Sequence, residues 1–351
     1  MKVLVTGATG FVGREIIAVL AESNIDLIAV GGKHSSSINQ ELPRKDNQPE
    51  FLSVDITDEN SLAELEKVGK VDAVIHSAGL AHQFGDTKKE EFEAVNGRGT
   101  KNVLELAIKL GAQHFILIGS TAVYGVTPTG KTRKTAGKTI EINEIAIDEE
   151  CATNPANFYA ESKLEAERIC RRLCEENNLP LTIFRLAPVI GEANVGNVAR
   201  LIEAIDKKRF LWIGDGKNLK TVIYKRDVAL ACLKLLHAKA PATEIFNLAG
   251  APISMKEFVG EIARRLERRV FGFKIPVGLP RLVFRLNDGF FKLQKISKLG
   301  ATIEKWLADD VYSAEKIKRR YGFTPATSVR EALEKQVRRY REQAAESGAG
   351  K

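Results

Sequence analysis

Tyr159 and Lys163, in Tyr159-Ala160-Glu161-Ser162-Lys163, are spaced to stand one helical turn apart on the same face. A free phenol has a pKa of about 10 and is a poor base at neutral pH. A neighbouring ammonium favours the phenolate, so Lys163 is expected to lower the pKa of Tyr159. Tyr159 would then take a proton from a hydroxyl as hydride leaves its carbon, or return one to a carbonyl being reduced. Lys163 could also hold the ribose of a nicotinamide cofactor. Ser120 follows an apolar strand-like run and can hydrogen-bond the same substrate oxygen. Ser120, Tyr159 and Lys163 are therefore the candidate catalytic set. A Tyr–Lys pair also arises by chance on amphipathic helices, so the reading depends on what lies upstream.

Upstream is a glycine-rich turn, Thr6-Gly7-Ala8-Thr9-Gly10-Phe11-Val12-Gly13. Gly7 permits a tight turn, Gly10 lets the backbone approach a pyrophosphate, and Gly13 lets a helix pack close to its strand. The helix that starts there, with Phe11 and Val12 in its first turn, offers free N–H groups and a partial positive charge to phosphates. A dinucleotide is the expected ligand. An acidic residue after the second strand would favour NAD through the ribose 2′-hydroxyl. Here the stretch reads Val30-Gly31-Gly32-Lys33-His34, and Lys33 and His34 could meet a 2′-phosphate. NADP is favoured over NAD on that ground, with a plain solvated lysine as the alternative. Asp55 and Ile56 are placed to meet the adenine, unless Asp55 is an ordinary turn aspartate.

These groups need a scaffold that brings distant segments to one edge. Strands are expected at Lys2–Thr6, Leu27–Val30, Phe51–Val54, Ala73–His76, His114–Ile118 and Leu181–Arg185. Helices are expected at Phe11–Ser23, Ser61–Lys67, Lys88–Leu110 and Phe158–Glu176. Their alternation, without a hairpin signal, predicts an α/β fold: a doubly wound parallel sheet covered by helices on both faces. Ligands of such sheets bind beyond the C-terminal strand ends. Thr6-Gly7, Asp55, Ser77-Ala78-Gly79 and Gly119-Ser120 all fall there. After Pro188 the pattern loosens, with helices at Val198–Asp206, Val228–His237 and Met255–Glu267 and a returning strand at Phe246–Leu248. Residues 1–188, with a returning part near 220–250, read as the dinucleotide-binding domain. Residues 189–219 and 251–343 read as a smaller substrate-binding lobe. Thr127–Glu150 reads as a loop or lid, and 344–351 as a disordered tail.

The 351 residues, 44% hydrophobic and 28% charged, suit a globular enzyme of this size. No apolar run reaches the roughly 18 residues of a membrane span, and no secretory signal is evident, so a cytoplasmic protein is expected. Cys151, Cys170, Cys174 and Cys232 lack the partners of a zinc site and read as reduced thiols; no metal is expected. The net charge of +8 comes from dispersed residues without a nucleic-acid motif, so an anionic small substrate is a better explanation than nucleic acid. The stretch 281–298 mixes apolar and basic residues. A lobe helix with a solvated basic face is the preferred reading there, and a membrane-surface segment the alternative.

Further matches complete an ordered set: Val74-Ile75-His76-Ser77-Ala78-Gly79, Val95-Asn96 with Gly99-Thr100, Ser120-Thr121-Ala122-Val123-Tyr124-Gly125, and Tyr321-Gly322-Phe323-Thr324-Pro325. With the glycine turn and Tyr159 to Lys163, they span nearly the whole chain. The chain resembles the extended short-chain dehydrogenase/reductases of the NAD-dependent epimerase/dehydratase type, which act on sugar nucleotides. The resemblance implies catalytic roles for Ser120, Tyr159 and Lys163. It implies that Ser77, Ala78, Gly79 and Pro188 line the cofactor, and that Asn96 supports the site. Thr121 would lie beside the substrate. Asn197 and Val198 fall where such enzymes hold a nucleotide diphosphate, and Lys220 where an arginine often meets a phosphate. For Asn197 a helix cap, and for Lys220 a solvated lysine, are the plainer alternatives. A homodimer packed through Lys88–Leu110 and Phe158–Glu176 is also implied.

Three departures narrow the expectation. Gly31 stands for the acid, Ala187 for an asparagine of galactose epimerases, and Lys220 for an arginine, which a lysine cannot match as a bidentate clamp. Ser120-Thr121-Ala122 offers no extra acid or base, which disfavours dehydration. The leading expectation is a sugar-nucleotide 4-epimerase or 4-keto reductase, tilted toward reductase by the missing acid. The alternatives are a reductase of lipid or sterol-like carbonyls and a non-catalytic cofactor sensor. An intact catalytic set argues against the sensor.

Overall fold

The structure, a computed structural model, describes residues 1–32, 49–81, 87–125, 146–238, 242–270, 274–278, 280 and 303–346, with backbone alone at 132–135, 138–141 and 347–348. Lys33, His34 and the 281–298 stretch lie outside the described residues.

Seven strands form one sheet: β1 (Lys2–Thr6), β2 (Asp26–Gly31), β3 (Glu50–Ser53), β4 (Ala73–His76), β5 (His114–Ser120), β6 (Leu181–Leu186) and β7 (Thr243–Leu248). Their order is β7-β6-β5-β4-β1-β2-β3, and every pairing is parallel. The order reverses between β1 and β4, the crevice at which such sheets bind ligands. This is the expected doubly wound sheet, with 243–248 as the returning seventh strand.

Each central strand is apolar through most of its length because both of its faces are covered, and its polar side chains, among them Thr6, His76, Thr182 and Arg185, are buried with it. In β1, Val3 and Val5 join one core while Leu4 joins the other. In β5, Ile116 and Ile118 pack on one side, and Phe115 and Leu117 on the opposite side. The first face is closed by α1 (Phe11–Ala21) and, from later in the chain, a helix that includes Val228, Ala229 and Cys232. The second is covered by α2 (Glu59–Ala63) and a long helical run in three parts. These are α3 (Lys89–Phe92), a π-helical turn at Glu93–Gly99, and α4 (Thr100–Lys109). α5 (Phe158–Glu176) completes that face. A third core forms among α6 (Asn197–Asp206), α8 (Met255–Arg265) and the helix Val329–Gly348, while α7 (Lys225–Leu236) belongs to the sheet.

Three local expectations change. The run read as one α-helix over 88–110 is interrupted by the π turn, which contains Gly97 and Gly99 and turns Asn96 into the interior. The segment read as a loop or lid over 127–150 carries an antiparallel hairpin, Thr132–Thr135 with Lys138–Glu141, consistent with its β-branched threonines. The tail read as disordered from Ala344 remains helical to Gly348. Arg339 there pairs with both Glu342 and Glu346 across the last turns. Among the described residues no helix is long and apolar enough to cross a membrane.

Candidate active site

The side chain of Asn157 caps α5 by accepting from the Ala160 N–H at 2.9 Å, which fixes Tyr159 in the first turn. Lys163 follows one turn later, and its Nζ donates to the Ile118 carbonyl at 3.3 Å, just before Ser120. Ser120 ends β5 and caps the short 3-10 turn Thr121–Tyr124, its Oγ accepting from the Ala122 N–H at 3.1 Å. A side-chain hydrogen bond joins Ser120 to Tyr159. The Tyr159 ring meets Phe92 edge-on, with centroids 6.2 Å apart.

Burial raises the Tyr159 pKa, and the Ser120 hydrogen bond offsets this only in part. The expected depression by Lys163 is absent: that ammonium is directed at a carbonyl, and desolvation of the phenol dominates. Burial also lowers Lys163 to about 8, against the opposing charge of Glu167. Below the cleft, His76 is enclosed between Thr6 Oγ1 at 2.7 Å and Thr100 Oγ1 at 3.0 Å. Burial and the Lys163 charge pull it down to about 3, so it is neutral at ordinary pH.

The glycine turn is shaped by close approach. Gly7 has φ +70°, and a Cβ on it would lie 2.5 Å from the Ala78 nitrogen. A Cβ on Gly13 would lie 2.0 Å from the Gly7 carbonyl oxygen. Gly10 caps α1 with no side-chain bond, which leaves its first N–H groups for an anion. Across from it, Asn96 receives the Leu80 N–H on Oδ1 at 2.7 Å, and donates to the Leu80 carbonyl at 3.0 Å and to Ser162 Oγ at 2.9 Å. It ties the strand exit after Ser77 to the catalytic helix. A Cβ on Gly79 would crowd Lys163 Nζ at 2.9 Å and Asn96 Oδ1 at 3.0 Å. The close backbone approaches at Gly7 and Gly13, with the open N-terminus of α1 at Gly10, fit a dinucleotide.

One cleft of ≈ 450 Å³ gathers Gly10, Phe11, Val12, Ser77, Gly79, Ser120, Thr121, Tyr159, Lys163 and Pro188. Gly7, Gly13, Ala78 and Asn96 stand behind its walls as supports. Asp55 and Ile56 are not among its lining residues. The Asp55 carboxylate accepts from the Thr57 N–H and hydroxyl, while Ile56 packs on Gly99.

A smaller pocket of ≈ 100 Å³ brings Asn197, Val198 and Lys220 together against Met255, Phe258 and Trp306. Pro188, Lys305 and Asp310 border both spaces. Gly196, not Asn197, caps α6. Lys220 is not a free cation: its Nζ donates to Asp310 Oδ2 and to the Lys305 carbonyl, both at 2.7 Å. Sequence reasoning missed Lys305, Asp310 and Tyr312 at the cleft, since no local motif marks them. It also missed a buried set behind Ser120, in which Glu167 pairs with Arg185 and Arg185 with Tyr124.

A family model described as NAD dependent epimerase/dehydratase family matches residues 3–249. A protein of Escherichia coli O157:H7 named N-acetyl-alpha-D-glucosaminyl-diphospho-ditrans,octacis-undecaprenol 4-epimerase is 26% identical, over 90% of this chain and 88% of its own length. UDP-glucose 4-epimerase of Vibrio cholerae is 26% identical, over 86% of each. Among solved structures, MoeE5 in complex with UDP-glucuronic acid and NAD shares the fold, with a TM-score of 0.72 and 21% identity over 98% of this chain and 100% of that one.

Proposed function

This chain belongs to the NAD dependent epimerase/dehydratase family, and on that premise we propose that it is a sugar-nucleotide 4-epimerase or 4-keto reductase that works through Ser120, Tyr159 and Lys163. The observation that carries the reading is the meeting of those three residues with the glycine turn in one cleft. The bound nicotinamide would supply the hydride acceptor or donor. Gly10 and the first N–H groups of α1 would hold its pyrophosphate, in a turn shaped by Gly7 and Gly13, and Lys163 would hold its ribose. Ser120 would hold the substrate oxygen while Tyr159 moves the proton on it.

Burial keeps Tyr159 protonated in the free protein, which suits donation to a carbonyl. Either enzyme needs that donation, and what supports the reductase direction is Gly31, where an acid would favour NAD. NADP is the proposed cofactor, with NAD the alternative. The pocket at Asn197, Val198 and Lys220, which shares Pro188, Lys305 and Asp310 with the wall of the cleft, is the proposed seat of the diphosphate side of the substrate. A homodimer packed through the helical run from α3 to α4 and through α5 completes the proposal.

A second reading has its own support. The apolar wall of Val222, Met255, Phe258 and Trp306, and the E. coli relative named for an undecaprenyl-linked sugar diphosphate, favour a lipid-linked sugar diphosphate as substrate.

The test offers UDP-sugars, a 4-keto sugar nucleotide and a polyprenyl diphosphate sugar, and follows the absorbance of reduced cofactor and the product sugar. Net NADPH oxidation by the 4-keto substrate identifies a reductase, and interconversion without net oxidation an epimerase. Tyr159→Phe should lower turnover by about 10²–10⁴-fold with cofactor affinity kept. Full turnover in that variant would remove Tyr159 as proton carrier.

A further inference from the structure

A buried ion pair lies directly behind the catalytic helix. Glu167 sits one turn beyond Lys163 on α5, and both side chains are buried. Its carboxylate accepts from Arg185 Nε at 3.0 and 3.2 Å and from Arg185 Nη2 at 2.7 Å. Arg185 lies on β6, opposite Gly119 of β5. Its remaining arm donates to Tyr124 Oη at 2.9 Å, and its guanidinium stands 4.9 Å from the centre of that ring. Tyr124 donates in turn to Asn247 Oδ1 at 2.8 Å, and Asn247 to the Ile147 carbonyl at 3.0 Å. The chain of bonds thus links α5, β6, the turn after Ser120 and β7.

A buried charged pair is expensive to desolvate and is a weak source of stability compared with apolar packing. Its position suggests another use. Lys163 Nζ is bonded to the Ile118 carbonyl, and a Cβ on the next residue, Gly119, would lie 3.4 Å from Glu167 Oε1. Lys163 and Glu167 therefore flank consecutive residues of β5, immediately before Ser120. Among the described residues, the titratable or charged groups around Lys163 are Tyr159, Glu167 and Cys170 from α5, His76 from β4, and Arg185 beyond Glu167, with Lys305, Asp310 and Tyr312 lining the same cleft. His76 is neutral, and burial holds the Cys170 thiol well above its usual value. With Asp310 engaged by Lys220, that leaves Glu167, one turn along the same helix face, as the counter-charge to Lys163.

We propose that Glu167, held in place by Arg185 and Tyr124, is a positioning residue that keeps Lys163 a charged ammonium in the dry floor of the cleft. The role for Lys163 in turnover rests on the function proposed above, but the electrostatic coupling does not. Removing the carboxylate makes the ammonium harder to hold, so Lys163 becomes neutral at a lower pH.

The test measures the pH dependence of acetic anhydride labelling at Lys163 in the full-length, cofactor-free chain, read by mass spectrometry of its peptide against an exposed lysine. Glu167→Gln should lower the labelling midpoint by at least half a pH unit. Glu167→Asp, which keeps the charge, should hold it closer to the parent value. The double variant Glu167→Gln with Arg185→Met removes the pair together, and covers the case in which Glu167→Gln alone fails to fold. Its midpoint should fall by less than in Glu167→Gln alone, because the opposing guanidinium charge leaves together with the nearer carboxylate. Unchanged midpoints in the folded Gln variants, or an equal fall in Glu167→Asp, would overturn the proposal. A parent protein inactive on every sugar substrate would sink the proposed function while leaving the labelling result to stand on its own.

Discussion

A lysine that already donates to a carboxylate and a carbonyl has little charge to offer a substrate phosphate. Lys220 is in that position, bonded to Asp310 in a largely buried pair, and burial lowers its pKa despite the carboxylate. The anionic side of a substrate entering this pocket must therefore compete with Asp310. Asp310→Asn keeps the shape and an acceptor for Lys220 but removes the competing charge. The backbone of Asp310, which receives the Thr221 N–H at 2.8 Å, is untouched by the change. Titration calorimetry with UDP at low salt should then show binding tightened by about five- to tenfold, roughly 1–1.4 kcal/mol. An affinity that stays level or weakens would mean that the pair does not limit anion binding.

Elements position these residues through features that are legible to different degrees. The continuous apolar strands, the glycine turn and the Tyr159–Lys163 spacing are local, and each appears where its pattern predicts. Lys220 with Asp310 and Glu167 with Arg185 are 90 and 18 residues apart, and only the folded chain brings them into contact, the first pair outside the central sheet. The π turn is equally hidden, because its sequence keeps helical periodicity while its backbone shifts Asn96 inward. The glycine turn allows a sharp test at this scale. Gly13→Ala puts a Cβ 2.0 Å from the Gly7 carbonyl oxygen, backbone against backbone, with no side chain able to yield. Destabilisation of about 1–3 kcal/mol and at least a tenfold loss of dinucleotide affinity are expected. Gly260→Ala, exposed in α8 with nothing near its Cβ, should instead stabilise by about 0.5–1 kcal/mol and leave the affinity unchanged. Thermal melts with and without NADP distinguish the two. Equal behaviour of the two alanines would refute the close-packing account of Gly13.

Two buried imidazoles contribute to the pH dependence of the molecule as a whole. Burial lowers His114 to about 4, and burial with the Lys163 charge lowers His76 to about 3, against about 6.5 for an unfolded histidine. Between those values the unfolded chain binds protons that the folded one refuses, so stability falls as pH drops below about 6.5. Asp227 acts in the opposite sense. It is buried where it receives the Ala326 and Thr327 N–H groups, and burial raises its pKa. Its effect weakens the fold as pH rises through the carboxylate range, which partly offsets the histidines at the acid end. His114 is the cleaner probe, since it starts β5 at the end away from the cleft and bonds Thr182 Oγ1 at 2.9 Å. Gln at that position can keep a bond to Thr182 but cannot take up the proton. The parent melting temperature should fall steadily from pH 6.5 to 4, and His114→Gln should remove up to roughly 3 kcal/mol of that fall by pH 4. A variant whose melting temperature declines with acid as steeply as the parent's would rule out His114 as a source of the acid sensitivity.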